Sequence, residues 1–142
     1  MDVDADAYVS PANSFGMMDG GIDAVLVQRF PRVERRLQSV IGNLGGMLPV
    51  GDAVVVETGD TDVPYMIAAP TMEVPSYVGA SNNAYLAMLA LLNAVDRFNA
   101  ANDDVVETVA IPGLCTGVGA MSPETAAFQM AQAYREWLGS GR

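Results

Sequence analysis

Two glycine-containing loops each lead from a short apolar stretch into a predicted helix. Loop 1 (residues 10–23) reads Ser-Pro-Ala-Asn-Ser-Phe-Gly-Met-Met-Asp-Gly-Gly-Ile-Asp, and loop 2 (residues 112–122) reads Pro-Gly-Leu-Cys-Thr-Gly-Val-Gly-Ala-Met-Ser. In open α/β sheets, ligands sit outside the carboxyl ends of strands, at loops of this kind. In a chain with an α/β fold, the pair therefore marks where a ligand would bind.

Predicted strands and helices alternate along the chain. Because the strands are solidly apolar, they predict a three-layer α/β/α domain with a mixed central sheet, spanning residues 1–142 as a single domain. Residues 59–64 are expected to form a hairpin connection. The strands are expected at residues 5–9, 53–57, 65–69 and 105–111, and the helices at 22–30, 33–44, 82–98 and 123–138.

The last helix has a clear start and an apolar face. Ser122 and Pro123 are typical of the N-cap and the first helical position, and residues 139–142 are expected to form a tail. Tyr134 and Trp137 are expected in the core. The predicted apolar face consists of Ala127, Met130, Ala131, Tyr134, Trp137 and Leu138.

The composition predicts the cellular location of the protein. Cys115 is the only cysteine, so no internal disulfide is possible, and a cytoplasmic location is expected. The longest apolar run, residues 84–92, is far shorter than the ~18 residues of a membrane span. It predicts a buried helix, and no membrane association is expected.

The charges exclude several function classes. The net charge is −10, the seven basic residues are all arginine, and histidine is absent. A role in coating nucleic acid is therefore not expected, and neither are His-based triads or metal sites; no cofactor or metal is required. Four arginines lie within residues 29–36. Such a run of charge usually forms a solvated helix face; the alternative interpretation is a surface that contacts an acidic protein substrate.

Asn13 and Asp23 are the candidate catalytic residues of loop 1. Taken alone, Asn13 is expected to hydrogen-bond its own loop, and Asp23 to stabilise a helix N-terminus. In loop 2, the glycines let backbone N–H groups approach a phosphate, although such turns also occur without a ligand. Cys115 lacks a His partner and is expected to be a small loop residue and not a nucleophile.

Together the two loops resemble those of the macrodomain family, in order, spacing and strand–helix context. The resemblance implies ADP-ribose binding, and in many members hydrolysis of ADP-ribosyl esters on acidic protein side chains. It implies that Asn13 orients the distal ribose and that Asp23 is the catalytic aspartate. It implies ligand contacts from Ser10, Gly20, Gly21, Ile22, Gly113, Cys115, Thr116, Gly117, Val118, Gly119 and Met121.

The chain departs from the family pattern at both ends of the ligand. Ser10 stands where the family has its first Asn, and Asp19 interrupts the glycine run. Gly119 and Met121 stand where aromatic residues are usual. The chain begins at about the point where the family's adenine-reading Asp would lie, and Asp2, Asp4 and Asp6 do not fit its pattern, so the chain is short at the N-terminus relative to the family.

Three functions follow as hypotheses. The first is a mono-ADP-ribosyl ester hydrolase, in which Asp23 or a substrate phosphate positions or deprotonates the attacking water. The second is a non-catalytic reader of ADP-ribose on ADP-ribosylated proteins. The third is an interaction domain that kept the fold and lost the ligand.

Overall fold

The described residues form four strands and four helices, as the sequence predicts. The structure is a computed structural model and describes residues 3–103 and 105–140. Asp2 and residues 141–142 of the predicted tail lie outside the described residues. The elements are β1 (Ala7–Ser10), α1 (Gly21–Arg29), α2 (Val33–Asn43), β2 (Val54–Glu57), β3 (Tyr65–Ala68), α3 (Asn83–Ala101), β4 (Val109–Ala110) and α4 (Pro123–Leu138).

The sheet is mixed, which confirms the prediction. Its strand order is β2-β3-β1-β4, with β1 parallel to both β3 and β4 and with β2 antiparallel to β3. The antiparallel pair confirms the hairpin at residues 59–64. All four residues of β1 are buried, because helices cover both faces of the strand.

Alternate residues of the central strands enter two separate cores. Ala7 and Val9 pack with α3 and α4 on one face of the sheet, whereas Tyr8 packs with α1 and α2 on the other. The period-2 alternation of a strand produces this division. The result is the predicted three-layer α/β/α arrangement, with β1 at its centre.

α3 is the buried helix predicted from the longest apolar run. Its buried residues include Ala84, Ala87 and Leu91. None of the helices within residues 3–103 and 105–140 is long and apolar enough to cross a membrane.

The last strand is much shorter than the predicted 105–111, because side chains take the hydrogen bonds of its first half. Asn99 donates to the carbonyl of Val106 at 2.8 Å and accepts from its N–H at 2.9 Å. Asp6 Oδ2 accepts the N–H groups of Glu107 and Thr108. Only Val109–Ala110 pairs with β1.

The predicted apolar face of α4 is partly wrong. The helix begins with Ser122 as N-cap and Pro123 in its first turn, as predicted, but it buries Ala126 and Ala133. Tyr134 is 45% exposed, and Trp137 is only half-buried. α4 packs closely on the alanine-rich α3, so small residues occupy the contact. Of the predicted face, only Met130 and Trp137 are partly buried, and Ala127, Ala131, Tyr134 and Leu138 are exposed.

Candidate functional site

Loop 1 and loop 2 meet at one edge of the sheet, because they follow the parallel neighbours β1 and β4. They line a cavity of about 540 Å³, within the range of about 300–1,000 Å³ of small-molecule sites. The cavity brings together most of the predicted site residues. These are Asn13, Gly20, Gly21, Ile22, Asp23, Gly113, Cys115, Thr116, Gly117, Val118 and Gly119.

Two residues predicted to contact the ligand lie behind the cavity wall instead. Ser10 is fully buried at the end of β1, and its side chain turns to Asp23. Met121 is buried in the core on the α3–α4 side. Both residues support the cavity from inside the protein.

α2 holds the far end of loop 1. The carboxylate of Glu34 accepts the N–H of Met18 at 2.7 Å, and Gln38 donates to the carbonyl of Gly16 at 3.3 Å. Gly16 has a φ of +70° and lies against Leu37 and Ile41. These contacts fix residues 16–18, of which Met17 lines the cavity.

The side-chain amide of Asn13 is used by its own loop. Its Nδ2 donates to the carbonyl of Met17 at 2.8 Å, and its Oδ1 accepts the N–H groups of Phe15 and Met17. This is the local interpretation that the sequence favoured for Asn13 alone. One amide N–H is left for a ligand, since Asn carries two donors, and its role toward ribose stays a prediction.

Asp23 is a buried carboxylate in the first turn of α1, only 8% exposed. Its Oδ1 accepts a hydrogen bond from the Ser10 hydroxyl at 2.6 Å, while Oδ2 accepts none from the described residues. Burial raises the pKa of Asp23 to about 6; the Ser10 hydrogen bond opposes this rise and the nearby Glu34 charge adds to it. The carboxylate is therefore mostly ionised at neutral pH and is a stronger base than an exposed aspartate.

Loop 2 presents a run of unpaired backbone donors. The N–H groups of residues 115–119 donate no hydrogen bond to any described residue. The loop is closed by other contacts, from the N–H of Met121 to the carbonyl of Cys115 at 2.9 Å and from the Thr116 hydroxyl to the carbonyl of Gly113 at 2.7 Å. Successive unpaired N–H groups on a concave surface are suited to an anion.

The N-terminus of α1 adds further donors. Gly20 caps this helix without a side-chain hydrogen bond, and the residues of its first turn line the cavity. Helix N-termini carry partial positive charge and free N–H groups. α4, the helix that follows loop 2, contributes no described residue to the cavity lining.

The thiol of Cys115 is buried, and burial raises its pKa to about 11. A thiol with this pKa is protonated at neutral pH and is a poor nucleophile. This agrees with the interpretation of Cys115 as a small loop residue, here with a φ of +68°.

The segment after β3 forms a wall that sequence reasoning missed. Thr71, Met72 and Pro75 line the cavity, because the N–H of Thr71 bonds to the carbonyl of Ala12 and that of Ser14 to the carbonyl of Glu73. The predicted hairpin at residues 59–64 was a signal for this wall. If β3 runs parallel to β1 after the hairpin, the loop that follows β3 must reach the same edge of the sheet as loop 1.

Other candidate residues lie elsewhere. Tyr77, in the segment after β3, is 69% exposed and does not line the cavity. Asp4 and Asp6 do not line it either, and Asp6 is engaged by the backbone before β4. In the described part of the chain, no group of three or more acidic or cysteine side chains is placed to hold a metal ion.

Gly119 is required by close packing. A Cβ there would lie 2.6 Å from Val78 Cγ2 and 2.8 Å from the carbonyl oxygen of Cys115, whereas a Cβ at Gly117 meets nothing within 4 Å. We expect Gly119→Ala to lower the free energy of unfolding by about 1–3 kcal/mol, and Gly117→Ala to change it by less than about 0.5 kcal/mol. Urea denaturation measures both, and equal stabilities would contradict the packing argument.

Known proteins share this architecture. The macro domain family model matches residues 9–130. An uncharacterized protein of Aquifex aeolicus is 36% identical over 136 residues, which span 96% of this chain and 76% of that protein. The macrodomain of Mycobacterium tuberculosis DarG has a TM-score of 0.76 at 23% identity, over 95% of this chain and 84% of that one. An Oceanobacillus iheyensis macrodomain mutant with ADPR has a TM-score of 0.76 at 16% identity, over 97% and 73%. At these identities the two structures show a common fold.

Proposed function

The chain belongs to the macro domain family, whose members generally bind ADP-ribose, and we propose that it binds ADP-ribose in the cavity between loop 1 and loop 2 and hydrolyses mono-ADP-ribosyl esters on acidic protein side chains. The observation that carries the proposal is that unpaired backbone N–H groups and a buried carboxylate line the same cavity. The chain has no lysine, and no arginine is among the described residues that line the cavity, so backbone N–H groups are the donors that could bind a diphosphate there.

The diphosphate is proposed to lie between loop 2 and the N-terminus of α1. The free N–H groups of residues 115–119 approach it from one side, and those of Gly20, Gly21 and Ile22 from the other. Glycine backbone leaves room for close contact. The distal ribose then extends toward Asn13 and Asp23.

Asp23 is proposed to act as the general base. Its Oδ2 is free to accept a hydrogen bond from a water molecule, because Ser10 engages only Oδ1. The water oxygen bonds to C1″ of the distal ribose, the bond from C1″ to the ester oxygen breaks, and the protein carboxylate leaves with the electron pair. Asp23 takes the proton of the water. A substrate phosphate held by loop 2 is the alternative base.

Two measurements on the wild-type protein test the proposal. Calorimetry with ADP-ribose is expected to show one site, with binding that raises the unfolding temperature as mass action requires. Incubation with an ester-linked mono-ADP-ribosyl protein is expected to release ADP-ribose and to regenerate the free carboxyl group.

The outcomes separate the alternatives. Binding without release would favour a non-catalytic reader. The local hydrogen bonds of Asn13 also favour this alternative, because an amide held by its own loop is less free to orient a ribose. Absence of binding would contradict both functions. We also propose ADP-ribosylated protein as the partner and a cytoplasmic setting; the single cysteine, which allows no internal disulfide, supports that setting.

A further inference from the structure

Ser10 is the last residue of the central strand β1 and is fully buried. Its carbonyl accepts the N–H of Ala69 at 3.0 Å, and it stands opposite Ala68 in the parallel pair of β1 and β3. The sheet therefore fixes the backbone of Ser10, and the hydroxyl is held in a defined position behind the cavity wall.

The hydroxyl of Ser10 joins the sheet to the first turn of α1. It donates a hydrogen bond to Asp23 Oδ1 at 2.6 Å. Gly20, the N-cap of α1, has no side chain that could cap the helix. The contact between Ser10 and Asp23 therefore ties the beginning of α1, whose residues line the cavity, to the central strand.

This contact restricts the direction of the Asp23 carboxylate. Asp23 lines the cavity, whereas Ser10 lies behind its wall. Both oxygens of a carboxylate lie in one plane with their carbon atom, so a short bond to Oδ1 also limits the positions that Oδ2 can take. Oδ2 accepts no hydrogen bond from the described residues and is the oxygen left to face a water molecule in the cavity.

The same hydrogen bond favours the ionised form of Asp23. Burial and the nearby charge of Glu34 on α2 raise the pKa of Asp23 to about 6, against the opposing effect of the Ser10 hydroxyl. The other ionisable side chains that line the cavity are Asp19, which is exposed, and Cys115, whose buried thiol is protonated. Without the Ser10 donor, a buried charge would lose a hydrogen bond, and Asp23 would bind its proton up to a higher pH.

We propose that Ser10 is a positioning residue for ester hydrolysis, which directs Asp23 Oδ2 toward the attacking water and does not itself touch the ligand. This inference rests on the proposed function. It gives Ser10 a role one layer behind the cavity, in place of the ligand contact predicted from the sequence. A misdirected base lowers the rate even where the affinity for the ligand is intact, because proton transfer needs hydrogen-bond geometry.

The first test is the dependence of hydrolysis on pH in Ser10→Ala. At substrate concentrations below saturation the rate follows ionisation in the free protein, so the wild-type rate is expected to rise with pH and to reach half its maximum near pH 6. In Ser10→Ala this midpoint is expected to move up by about one pH unit, and the rate at high pH to fall by about 10-fold. The affinity for ADP-ribose, from calorimetry, is expected to stay within about two-fold.

Ser14 supplies the matched control. It is also a fully buried serine of loop 1, but its hydroxyl has no hydrogen-bond partner among the described residues and it does not line the cavity. Ser14→Ala is expected to keep the wild-type pH midpoint and a rate within about two-fold. Urea denaturation shows whether each variant is folded. If Ser10→Ala is unfolded, Ser10→Cys keeps a weaker donor and is expected to shift the midpoint in the same direction by a smaller amount.

A double variant separates positioning from packing. In Asp23→Asn there is no base to position, so adding Ser10→Ala is expected to change the residual rate by less than about two-fold. A further loss of about 10-fold in the double variant would show that Ser10 does not act through Asp23, and would overturn the proposal.

Two other results would also overturn the role of Ser10. They are an unchanged pH midpoint in Ser10→Ala, and equal effects of Ser10→Ala and Ser14→Ala. Neither result touches the proposed function, which the loss of hydrolysis in Asp23→Asn would still support. A wild-type protein that releases no ADP-ribose would overturn the proposed hydrolysis, and the role of Ser10 with it.

Discussion

Replacing Asp23 by asparagine is expected to lower the rate of ester hydrolysis by about 100-fold or more, the usual contribution of a positioned general base. The amide has nearly the shape of the carboxylate and can still accept the Ser10 hydrogen bond through its oxygen. It cannot take a proton from the attacking water. We therefore expect the affinity for ADP-ribose to change by only a few-fold. Calorimetry would measure this affinity and a single-turnover assay the rate of hydrolysis, on the same preparation.

Asp19 provides the control for this substitution. It is an exposed carboxylate that lines the same cavity and forms no hydrogen bond or ion pair with the described residues. Asp19→Asn makes the same chemical change without touching the buried site, and we expect hydrolysis within a few-fold of wild type. Equal activity of Asp23→Asn and the wild type would show that Asp23 is not the base and would favour the substrate phosphate.

Sequence patterns predicted the parts of the fold that local rules determine. The apolar strands around Tyr8 and Ile67 alternate between two cores as a buried strand must. Ser122 and Pro123 start α4 because the preferences of serine for the N-cap and of proline for the first helical position are strong and local. The meeting of loop 1 and loop 2 followed from their positions after two parallel strands.

The remaining features depend on tertiary contacts that no local pattern contains. Periodicity showed that α4 has an apolar face but not which side meets α3, and close packing selected Ala126 and Ala133. The loss of strand at residues 105–108 depends on Asp6, a hundred residues away in sequence. Asp23 lies in the first turn of α1, where the helix dipole favours a negative charge, but its burial, and hence its raised pKa, depends on the fold around it.

The same buried carboxylate is expected to lower the stability of the wild-type protein at neutral pH. A pKa of about 6, against an ordinary value of 3.8, means that the folded protein binds the proton more tightly than the unfolded chain. The contribution of protonated Asp23 to the stability of the fold is thus complete below pH 3.8 and is lost as the pH rises through 6. Converted at 1.36 kcal/mol per pH unit, the loss is about 3 kcal/mol.

Asp23→Asn escapes this loss because it carries no charge. We expect the variant to be more stable than the wild type by about 1 kcal/mol at pH 4.5 and by about 3 kcal/mol at pH 8, from urea denaturation across that range. Asp19→Asn, whose carboxylate is exposed, is expected to stay within about 0.5 kcal/mol of wild type throughout. A difference between Asp23→Asn and the wild type that is the same at every pH would show that Asp23 is not strained by burial. A variant that loses hydrolysis and gains stability would instead identify Asp23 as a charge kept for function at the expense of the fold.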